Sequence, residues 1–198
     1  MEFCMPARVL TLVIALFCLS VPLHAAEPAT QRFEPVTRVA DAPLKLNGEG
    51  IRSLYSLKAY AIGLYLGAPA DSLDSAMKVP GAKRIEIVSM VDVPAEHFNK
   101  PLIRGIKKNL PRDEYEAMQP RIKAFSEQVL AIGSVKSGSR LALDWIPGRG
   151  TRIVVDGQPS TTMIKGEDFY RGLLAVWIGP VPTQDDLKAQ LLAGRSAP

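Results

Sequence analysis

The fold is decided by a stretch in the first half of the chain, NGEGIRSLYSLKAYAIGLYL, residues 47–66. It opens with Asn47-Gly48, a pair that tolerates positive φ and therefore predicts a turn. The residues that follow are rich in Leu, Ile, Tyr and Ala, as in a strand, and they outnumber the residues of an average strand. We therefore predict a turn followed by one long central strand that ends near Gly67-Ala68-Pro69.

Two polar side chains of this predicted strand are the candidate functional residues. Side chains alternate along a strand, so Arg52, Lys58 and Tyr60 share one face if no bulge intervenes. A guanidinium and a phenol on an otherwise apolar surface suit an anion such as a carboxylate or an enolate. The alternative is that Arg52 is a rim residue with a solvated head and that Tyr60 is a packing residue with a polar tip.

The beginning of the chain has the pattern of an export signal. Arg8 supplies a short basic region, residues 9–23 form an apolar run, and Ala25-Ala26 offers small residues for cleavage. We predict a signal peptide over residues 1–25, a flexible leader over residues 26–32, and a periplasmic or secreted product. A retained anchor is the alternative, although the apolar run is shorter than the ~20 residues that span a bilayer.

Cysteine and histidine usage excludes several kinds of chemistry. Cys4 and Cys18, the two cysteines of the chain, both lie in the predicted signal peptide. His24 lies at the predicted cleavage region, so His97 is the one histidine of the mature chain. A disulfide framework, a thiolate nucleophile and a Cys-based or multi-His metal site are therefore excluded, and we expect no metal and no cofactor.

Size and charge indicate a single domain without nucleic-acid binding. The predicted mature chain has about 170 residues, enough for one domain with its own core, which we place at residues 33–194. The net charge of +4 is mild, and the basic residues are scattered without interleaved aromatic residues. This scattered distribution does not resemble the basic patch of a nucleic-acid interface, so we expect none.

Outward from the central stretch, the predicted elements are short. Residues 33–39 are predicted as a first strand, and residues 44–46 as the arm that leads into the turn. Residues 71–78 predict one or two helical turns that end before Pro80-Gly81. Residues 83–91 alternate between apolar and polar side chains and predict another strand.

The middle of the chain is predicted to be helical. A helix that starts at Pro94 carries an apolar residue at every fourth position, namely Phe98, Leu102, Ile106 and Leu110. We expect Pro101 to kink or split this helix. A second apolar stripe over residues 115–129 predicts another helix, bent at Pro120.

The last third of the chain returns to strands before it ends in helices. Three short strands are predicted, over residues 140–146, 151–155 and 160–164. Asp156-Gly157 between the last two is a two-residue hairpin signal.

Two helices are predicted at the end of the chain. Residues 168–179 form a strongly apolar helix closed by Gly179. Residues 183–186 have the pattern of a capping box for a helix that runs through Leu192. The sequence of strands, helices, strands and helices predicts an α+β fold, with a largely antiparallel sheet covered by helices on one face.

Three segments resemble the chalcone isomerase-like family, in its bacterial exported form. They are residues 46–52 (LNGEGIR), residues 59–66 (AYAIGLYL), and the closing segment from Gly166 through Phe169 to Gly179. The resemblance covers about residues 33–194. It implies an open-faced β-sandwich, in which a long sheet is wrapped by helices with an apolar cleft between them. It also implies that relatives divide into plant enzymes that cyclise chalcones and non-enzymatic members that bind fatty acids.

The resemblance assigns roles to the two candidate residues. The pocket arginine of the family falls on Arg52. Tyr60 falls where the enzymes carry a threonine, and here the sequence is similar to the fatty-acid-binding branch, in which an arginine and a tyrosine hold the carboxylate.

A second motif of the enzymes has no full counterpart. The enzymes carry Tyr-x-x-Lys followed by an asparagine one helical turn later. One register places Phe98, Pro101 and Gly105 on these three positions, and a register one residue earlier places His97, Lys100 and Arg104 there. Neither register reproduces the constellation of the enzymes.

Three functions therefore stay open. The leading hypothesis is an exported protein that binds a hydrophobic, fatty-acid-like carboxylate in an apolar cleft, with Arg52, Tyr60, Lys58 and Phe98 as ligand-binding residues. The second is an isomerase or intramolecular lyase that acts on a chalcone-like or other conjugated substrate, with Arg52 and Tyr60 as candidate catalytic residues. The third is a structural or partner-binding role in the cell envelope. We expect no nucleic-acid partner and no permanent membrane span after processing.

Overall fold

The computed structural model describes Met1, residues 33–160 and residues 162–194. Apart from Met1, the predicted signal peptide (1–25) and leader (26–32) lie outside the described residues. The predicted α+β class is confirmed: the described part of the chain contains an antiparallel sheet of seven strands, a separate pair of two-residue strands, and five helices.

The large sheet has the strand order β1-β2-β3-β4-β7-β8-β9, and every neighbouring pair is antiparallel. The seven strands are β1 (Val36–Val39), β2 (Ala42–Leu54), β3 (Leu57–Leu66), β4 (Lys83–Ser89), β7 (Arg140–Ile146), β8 (Gly150–Val155) and β9 (Gln158–Pro159). The separate pair consists of β5 (Val93–Pro94) and β6 (Ser134–Val135).

The five helices cover one face of this sheet, as predicted. They are α1 (Leu73–Lys78), α2 (Ala95–Asn109), α3 (Arg112–Leu130), α4 (Glu167–Ile178) and α5 (Asp185–Leu191). The apolar helix predicted near the end of the chain is α4, which is buried along nearly its whole length and ends at Gly179. Its side chains form the main core together with the inward-facing residues of β3, β4 and β7 and with the predicted apolar stripes of α2 and α3.

The opposite face of the sheet carries a smaller core and a charged network. Phe33, Leu44, Leu46 and Tyr65 belong to the small core near β1 and β2. Further along, on β4, β7 and β8, the fully buried Asp144 accepts hydrogen bonds from Arg84 and Arg152 at 2.6–3.1 Å. A buried carboxylate held between two arginines is stable only with such complete pairing.

The long central strand predicted for residues 47–66 is wrong, because the stretch is a hairpin. β2 and β3 are joined by a turn at Tyr55-Ser56, where Tyr55 adopts a φ of +54°. The turn predicted at Asn47-Gly48 is also wrong, since both residues lie inside β2, at a register shift opposite β3. Asn47 instead uses its side-chain amide to hold other segments, donating to Ala70 O at 2.9 Å and Leu191 O at 2.8 Å.

Three further expectations need correction. The first strand starts at Val36 and not at residue 33, because Phe33 packs into the small core. The strand predicted over 160–164 is reduced to a single bridge between Ile164 and Thr151. Asp156-Gly157 does form the predicted tight turn, with φ values of 47° and 81°, but it leads into the two-residue strand β9.

The two helix-interior prolines do not divide their helices. α2 continues through Pro101 and α3 through Pro120. Each proline removes one backbone donor, but the buried apolar stripes on both sides of it pack against the core, and tertiary packing supplies most of the stability of a helix in a folded protein.

Candidate functional site

The β2–β3 hairpin brings the two candidate residues together. Arg52 and Tyr60 are directly opposite each other in the register of the hairpin, and a register shift follows immediately between Arg52 and Ser53. Directly opposite residues of an antiparallel pair lie on the same face of the sheet. Arg52 and Tyr60 therefore share a face, as predicted. The reason differs from the predicted one, because the two residues are paired across two strands and do not alternate along a single strand.

Arg52 is held by neutral acceptors. Its Nη1 donates to Gln184 Oε1 at 2.9 Å and to the carbonyl oxygen of Ser53. The Ser53 amide donates to the same Gln184 oxygen at 3.1 Å. Within residues 33–160 and 162–194, no carboxylate forms an ion pair with Arg52, so its partly buried positive charge is oriented without being neutralised.

The glycines of the opening stretch explain how Gln184 reaches Arg52. Helix α5 crosses β2 so closely that a Cβ on Gly48 would lie 2.2 Å from the carbonyl oxygen of Gln190. A Cβ on Gly50 would lie 2.6 Å from a methyl carbon of Leu187. Only glycine leaves room at both positions. Gly48, Gly50 and Arg52 alternate along one face of β2, so α5 packs over the glycines and its N-terminal end lies over Arg52.

The capping box predicted at residues 183–186 is wrong, and this difference matters for the site. Helix α5 begins at Asp185 with Gln184 at the N-cap and has no side-chain cap. The Thr183 hydroxyl donates to the carbonyl oxygen of Val176 in α4 at 2.7 Å. Gln184 is thereby free to bind the hairpin.

Tyr60 keeps its hydroxyl proton available. Trp177 Nε1 donates to the Tyr60 oxygen at 2.9 Å, and the Phe98 ring packs on Tyr60 with 5.3 Å between the ring centroids. Burial raises the pKa of the Tyr60 phenol, and this effect exceeds the opposing effects of the Trp177 hydrogen bond and the Arg52 charge. The phenol is therefore neutral at physiological pH, and its O–H donates to no other described residue.

Arg52 and Tyr60 open onto an apolar cavity of about 420 Å³, a volume within the range of ligand pockets in proteins. Its walls come from three parts of the chain. The hairpin contributes Arg52, Leu54, Leu57, Ala59 and Tyr60. The segment around the start of α2 contributes Val91, Val93, His97, Phe98, Pro101 and Leu102. The end of α4 and the loop after it contribute Val176, Trp177 and Thr183.

The structure separates the predicted ligand-binding residues. Arg52, Tyr60 and Phe98 line the cavity, whereas Lys58 is exposed and lies outside its lining. The register shift of the hairpin explains the difference. It pairs Lys58 with Ser53, which neighbours Arg52 and therefore faces the other side of the sheet, while Ala59 lines the cavity.

The face of α2 that reaches the cavity distinguishes the two registers of the enzyme motif. Phe98 and Pro101 line the cavity, and Gly105 lies against Val176, where a Cβ would come within 2.8 Å of a methyl carbon. In the other register, His97 lines the cavity, but Lys100 and Arg104 are exposed outside its lining. The described cavity wall therefore carries no lysine and no asparagine from α2.

Sequence reasoning missed two residues of the site. Gln184 had the pattern of a helix cap, and Trp177 had the pattern of a core residue in an apolar helix. Trp177 is indeed buried, it lines the cavity, and its indole N–H donates to the Tyr60 oxygen. A polar indole nitrogen in a buried helix needs an acceptor, which was the available signal.

No group of three metal-ligating side chains occurs in the described part of the chain. None of the described helices is long and apolar enough to cross a membrane.

Two comparisons with known proteins identify the family and the fold. The crystal structure of a fatty-acid binding protein from Arabidopsis thaliana is similar, with a TM-score of 0.62 at 17% sequence identity over 81% of this chain and 90% of that chain. None of the curated protein sequences compared with the chain matches it. The sequence model of one family, described as chalcone isomerase-like, matches residues 25–193. The chain therefore belongs to the chalcone isomerase-like family.

Proposed function

We propose that this protein binds a hydrophobic carboxylate such as a fatty acid, and that it does so after export from the cytoplasm. The observation that carries the proposal is the state of Arg52. Its guanidinium is fixed by a neutral amide and a backbone carbonyl at the wall of an apolar cavity, and no acidic side chain among the described residues neutralises it. A partly buried cation in this state favours an anionic ligand.

The chemistry of the cavity divides the ligand into a head and a tail. The Arg52 guanidinium and the Tyr60 hydroxyl both donate hydrogen bonds, which suits a carboxylate with two acceptor oxygens. The remaining lining is mainly Leu, Val, Ala, Phe and Pro and suits an alkyl chain. The similarity in fold to a fatty-acid binding protein supports this assignment.

The expected contributions to the binding free energy assign different roles to the head and the tail of the ligand. Each buried methylene of the tail contributes ~0.8 kcal/mol, from which the costs of association and ordering are subtracted. The charge-assisted hydrogen bond to the head contributes ~1.5–3 kcal/mol. The tail therefore provides most of the affinity, and Arg52 selects the head group and its orientation.

Catalysis of a chalcone-type cyclisation has less support. Such a reaction needs stabilisation of a developing enolate and a network that positions the nucleophile. Arg52 and Tyr60 could serve the enolate, but α2 contributes Phe98 and Pro101 to the cavity, with Lys100 and Arg104 outside it. Incubation of the purified protein with hydroxychalcones, followed by absorbance, tests this alternative, and we expect no turnover.

Export is supported by the basic and apolar pattern at the start of the sequence. Expression of the full chain followed by fractionation and mass determination of the product tests it. We expect a periplasmic or secreted product shortened at Ala25 or Ala26, and a full-length product in the cytoplasm would contradict the proposal.

The test of binding is extraction of the native protein. The protein is purified without added ligand, its bound small molecules are extracted and identified by mass spectrometry, and the stripped protein is titrated with a fluorescent fatty acid. We expect fatty acids in the extract and saturable binding of the probe. A protein that yields no carboxylate and does not bind the probe would overturn the proposal.

A further inference from the structure

The end of the β2–β3 hairpin carries an unusual cluster of exposed apolar side chains. We name residues 54–58 the hairpin tip. Leu54 is 50% exposed, Tyr55 105% and Leu57 53%, so three large apolar side chains project into solvent within four consecutive residues. The other large apolar side chains exposed within residues 33–160 and 162–194 are Val36, Leu130 and Val181, which lie singly on other elements. Single exposed apolar residues are common, whereas a cluster marks a site of interaction.

The charge around the hairpin tip has one sign. Between Gly50 and Ala70, the chain has two cationic side chains, Arg52 and Lys58, and no acidic one. Lys58 is exposed, and it forms no ion pair with any described residue. A tyrosine and two leucines beside a lysine form the composition of segments that rest at the interface of an anionic membrane.

Two acidic side chains near the start of α2 are already paired. Asp92, just before α2, pairs with Lys136 at 3.1 Å. Glu96, in the first turn of α2, lies 4.0 Å from both Lys100 and His97. These two acids therefore oppose the positive charge of the hairpin tip only weakly, whereas Asp185 and Asp186, next to Gln184 in the first turn of α5, offset part of it.

The hairpin tip is continuous with the cavity. Leu54 and Leu57 line the cavity wall and are half exposed at the same time. The cavity wall and the exposed apolar surface are therefore formed by the same two side chains. A ligand with an alkyl tail would meet an apolar surface at this end of the cavity.

We propose that the hairpin tip docks on a phospholipid bilayer that contains anionic lipid, so that the cavity meets the membrane and its hydrophobic carboxylate passes between bilayer and protein along an apolar path. The inference rests on the proposed function, because it explains how a poorly soluble ligand reaches the cavity. Tyr55 inserts at the level of the head groups, the two leucines contact the acyl region, and Lys58 binds lipid phosphate. With so few anchoring residues, binding is reversible.

The test uses flotation of the purified protein with vesicles, in the absence of added fatty acid. Vesicles of phosphatidylcholine are compared with vesicles of equimolar phosphatidylcholine and phosphatidylglycerol. Tyr55→Asn is the informative variant, because asparagine tolerates the positive φ of this position and Tyr55 is not part of the cavity lining. Lys58→Gln tests the charge, and Leu130→Ser is the matched control for loss of an exposed apolar residue elsewhere.

We expect the wild-type protein to float with the anionic vesicles more than with the neutral ones. Tyr55→Asn should weaken vesicle binding roughly tenfold, as expected for loss of one aromatic anchor. Lys58→Gln should remove the preference for anionic lipid, and Leu130→Ser should bind as the wild type does. Binding of a fluorescent fatty acid in solution should be unchanged by Tyr55→Asn.

Two results would overturn the inference. One is a wild-type protein that binds the fatty acid in solution but neither kind of vesicle. The other is a dimer in solution that Tyr55→Asn dissociates without any effect on vesicle binding, which would assign the hairpin tip to a second copy of the chain. Failure of fatty-acid binding with intact vesicle binding would instead remove the proposed ligand and leave the docking surface in place.

Discussion

Arg84 and Arg52 are two partly buried arginines of the same sheet with opposite surroundings. Arg84 lies on the uncovered face, with its side chain 14% exposed, and forms a two-pronged pair with the buried Asp144 at 2.6 and 3.0 Å. Arg52 lies on the helix-covered face and is held by Gln184 and a backbone carbonyl, and no carboxylate of the described residues pairs with it. The charge of Arg84 is neutralised by Asp144, whereas that of Arg52 is oriented by neutral acceptors. We propose that the sheet uses an arginine for stability on one face and for ligand recognition on the other.

The largest expected effect is on stability, at the Arg84 site. Asp144→Ala removes the carboxylate shared by Arg84 and Arg152 and leaves two partly buried cations without a counter-charge. We expect the free energy of unfolding to fall by about 3–5 kcal/mol, the usual cost of breaking a buried ion pair, as measured by urea denaturation. Glu116→Ala, which removes an exposed helical ion pair, is the control and should leave the denaturation midpoint unchanged. Equal midpoints for the two variants would show that the buried network is not what stabilises this face.

The second effect is on binding, at the Arg52 site. Arg52→Ala removes a charge-assisted hydrogen bond to the ligand, so we expect fatty-acid affinity to fall tenfold to a hundredfold. The free energy of unfolding should fall by ~1.5–3 kcal/mol, less than in Asp144→Ala, since the lost intramolecular contacts are hydrogen bonds from a charged donor to neutral acceptors. Arg104→Ala, on the exposed side of α2, is the matched control and should bind as the wild type does. A fluorescence titration in which both variants match the wild type would remove Arg52 from the site.

A smaller effect is expected when the Arg52 site is made similar to the Arg84 site. Gln184→Glu keeps the shape of the side chain and places a carboxylate on Arg52 Nη1. Part of the guanidinium charge is then neutralised, and we expect the affinity for a fatty acid to fall roughly fivefold to tenfold, the equivalent of ~1 kcal/mol for a partly exposed pair. Gln190→Glu makes the same charge change further along α5 and serves as the control. An unchanged or higher affinity in Gln184→Glu would contradict the role of an unneutralised Arg52.

The smallest expected effect is the change of fatty-acid affinity with pH, because burial of Tyr60 keeps its phenol protonated. An unperturbed phenol has a pKa of 10.0, so half of the phenol molecules would be deprotonated and unable to donate a hydrogen bond at that pH. Burial raises the pKa of Tyr60, so more than half of the phenol stays protonated at pH 10. The affinity for a fatty acid should therefore change by less than about twofold between neutral pH and pH 10. A loss of affinity centred near pH 10 that is absent in Tyr60→Phe would contradict a buried, neutral Tyr60.

The parts of the molecule that were predictable from sequence are those with local signals. The alternation in residues 83–91 predicted β4, the four-residue apolar stripe predicted α2, and the glycine-closed apolar run predicted α4. Each pattern is set by the period of its own element, so no distant contact was needed. Arg52 and Tyr60 were found for a related reason, since a charged and a phenolic side chain are conspicuous in an apolar segment.

The parts that were missed depend on contacts between distant segments. The hairpin turn at Tyr55-Ser56 contains no glycine, asparagine or proline, and serine is only a weak turn signal, so the sequence between Arg52 and Tyr60 does not stand out as a turn. Asn47-Gly48 shows such a signal but forms no turn. Asn47 instead donates a hydrogen bond to Leu191, and Gly48 leaves room for α5 to pack on β2. The contact between Gln184 and Arg52 joins residues that are 132 positions apart in the chain, and no local pattern could predict it.

The most direct test of the central claim is the head-group selectivity of the cavity. The affinities for a fatty acid and for the fatty alcohol of equal chain length are measured by displacement of a fluorescent probe, in the wild type and in Arg52→Met. The wild type should prefer the acid roughly tenfold to a hundredfold, and Arg52→Met should bind both ligands with the affinity that the wild type has for the alcohol. Equal affinities for the two ligands in the wild type, or an undiminished preference for the acid in the variant, would contradict this claim.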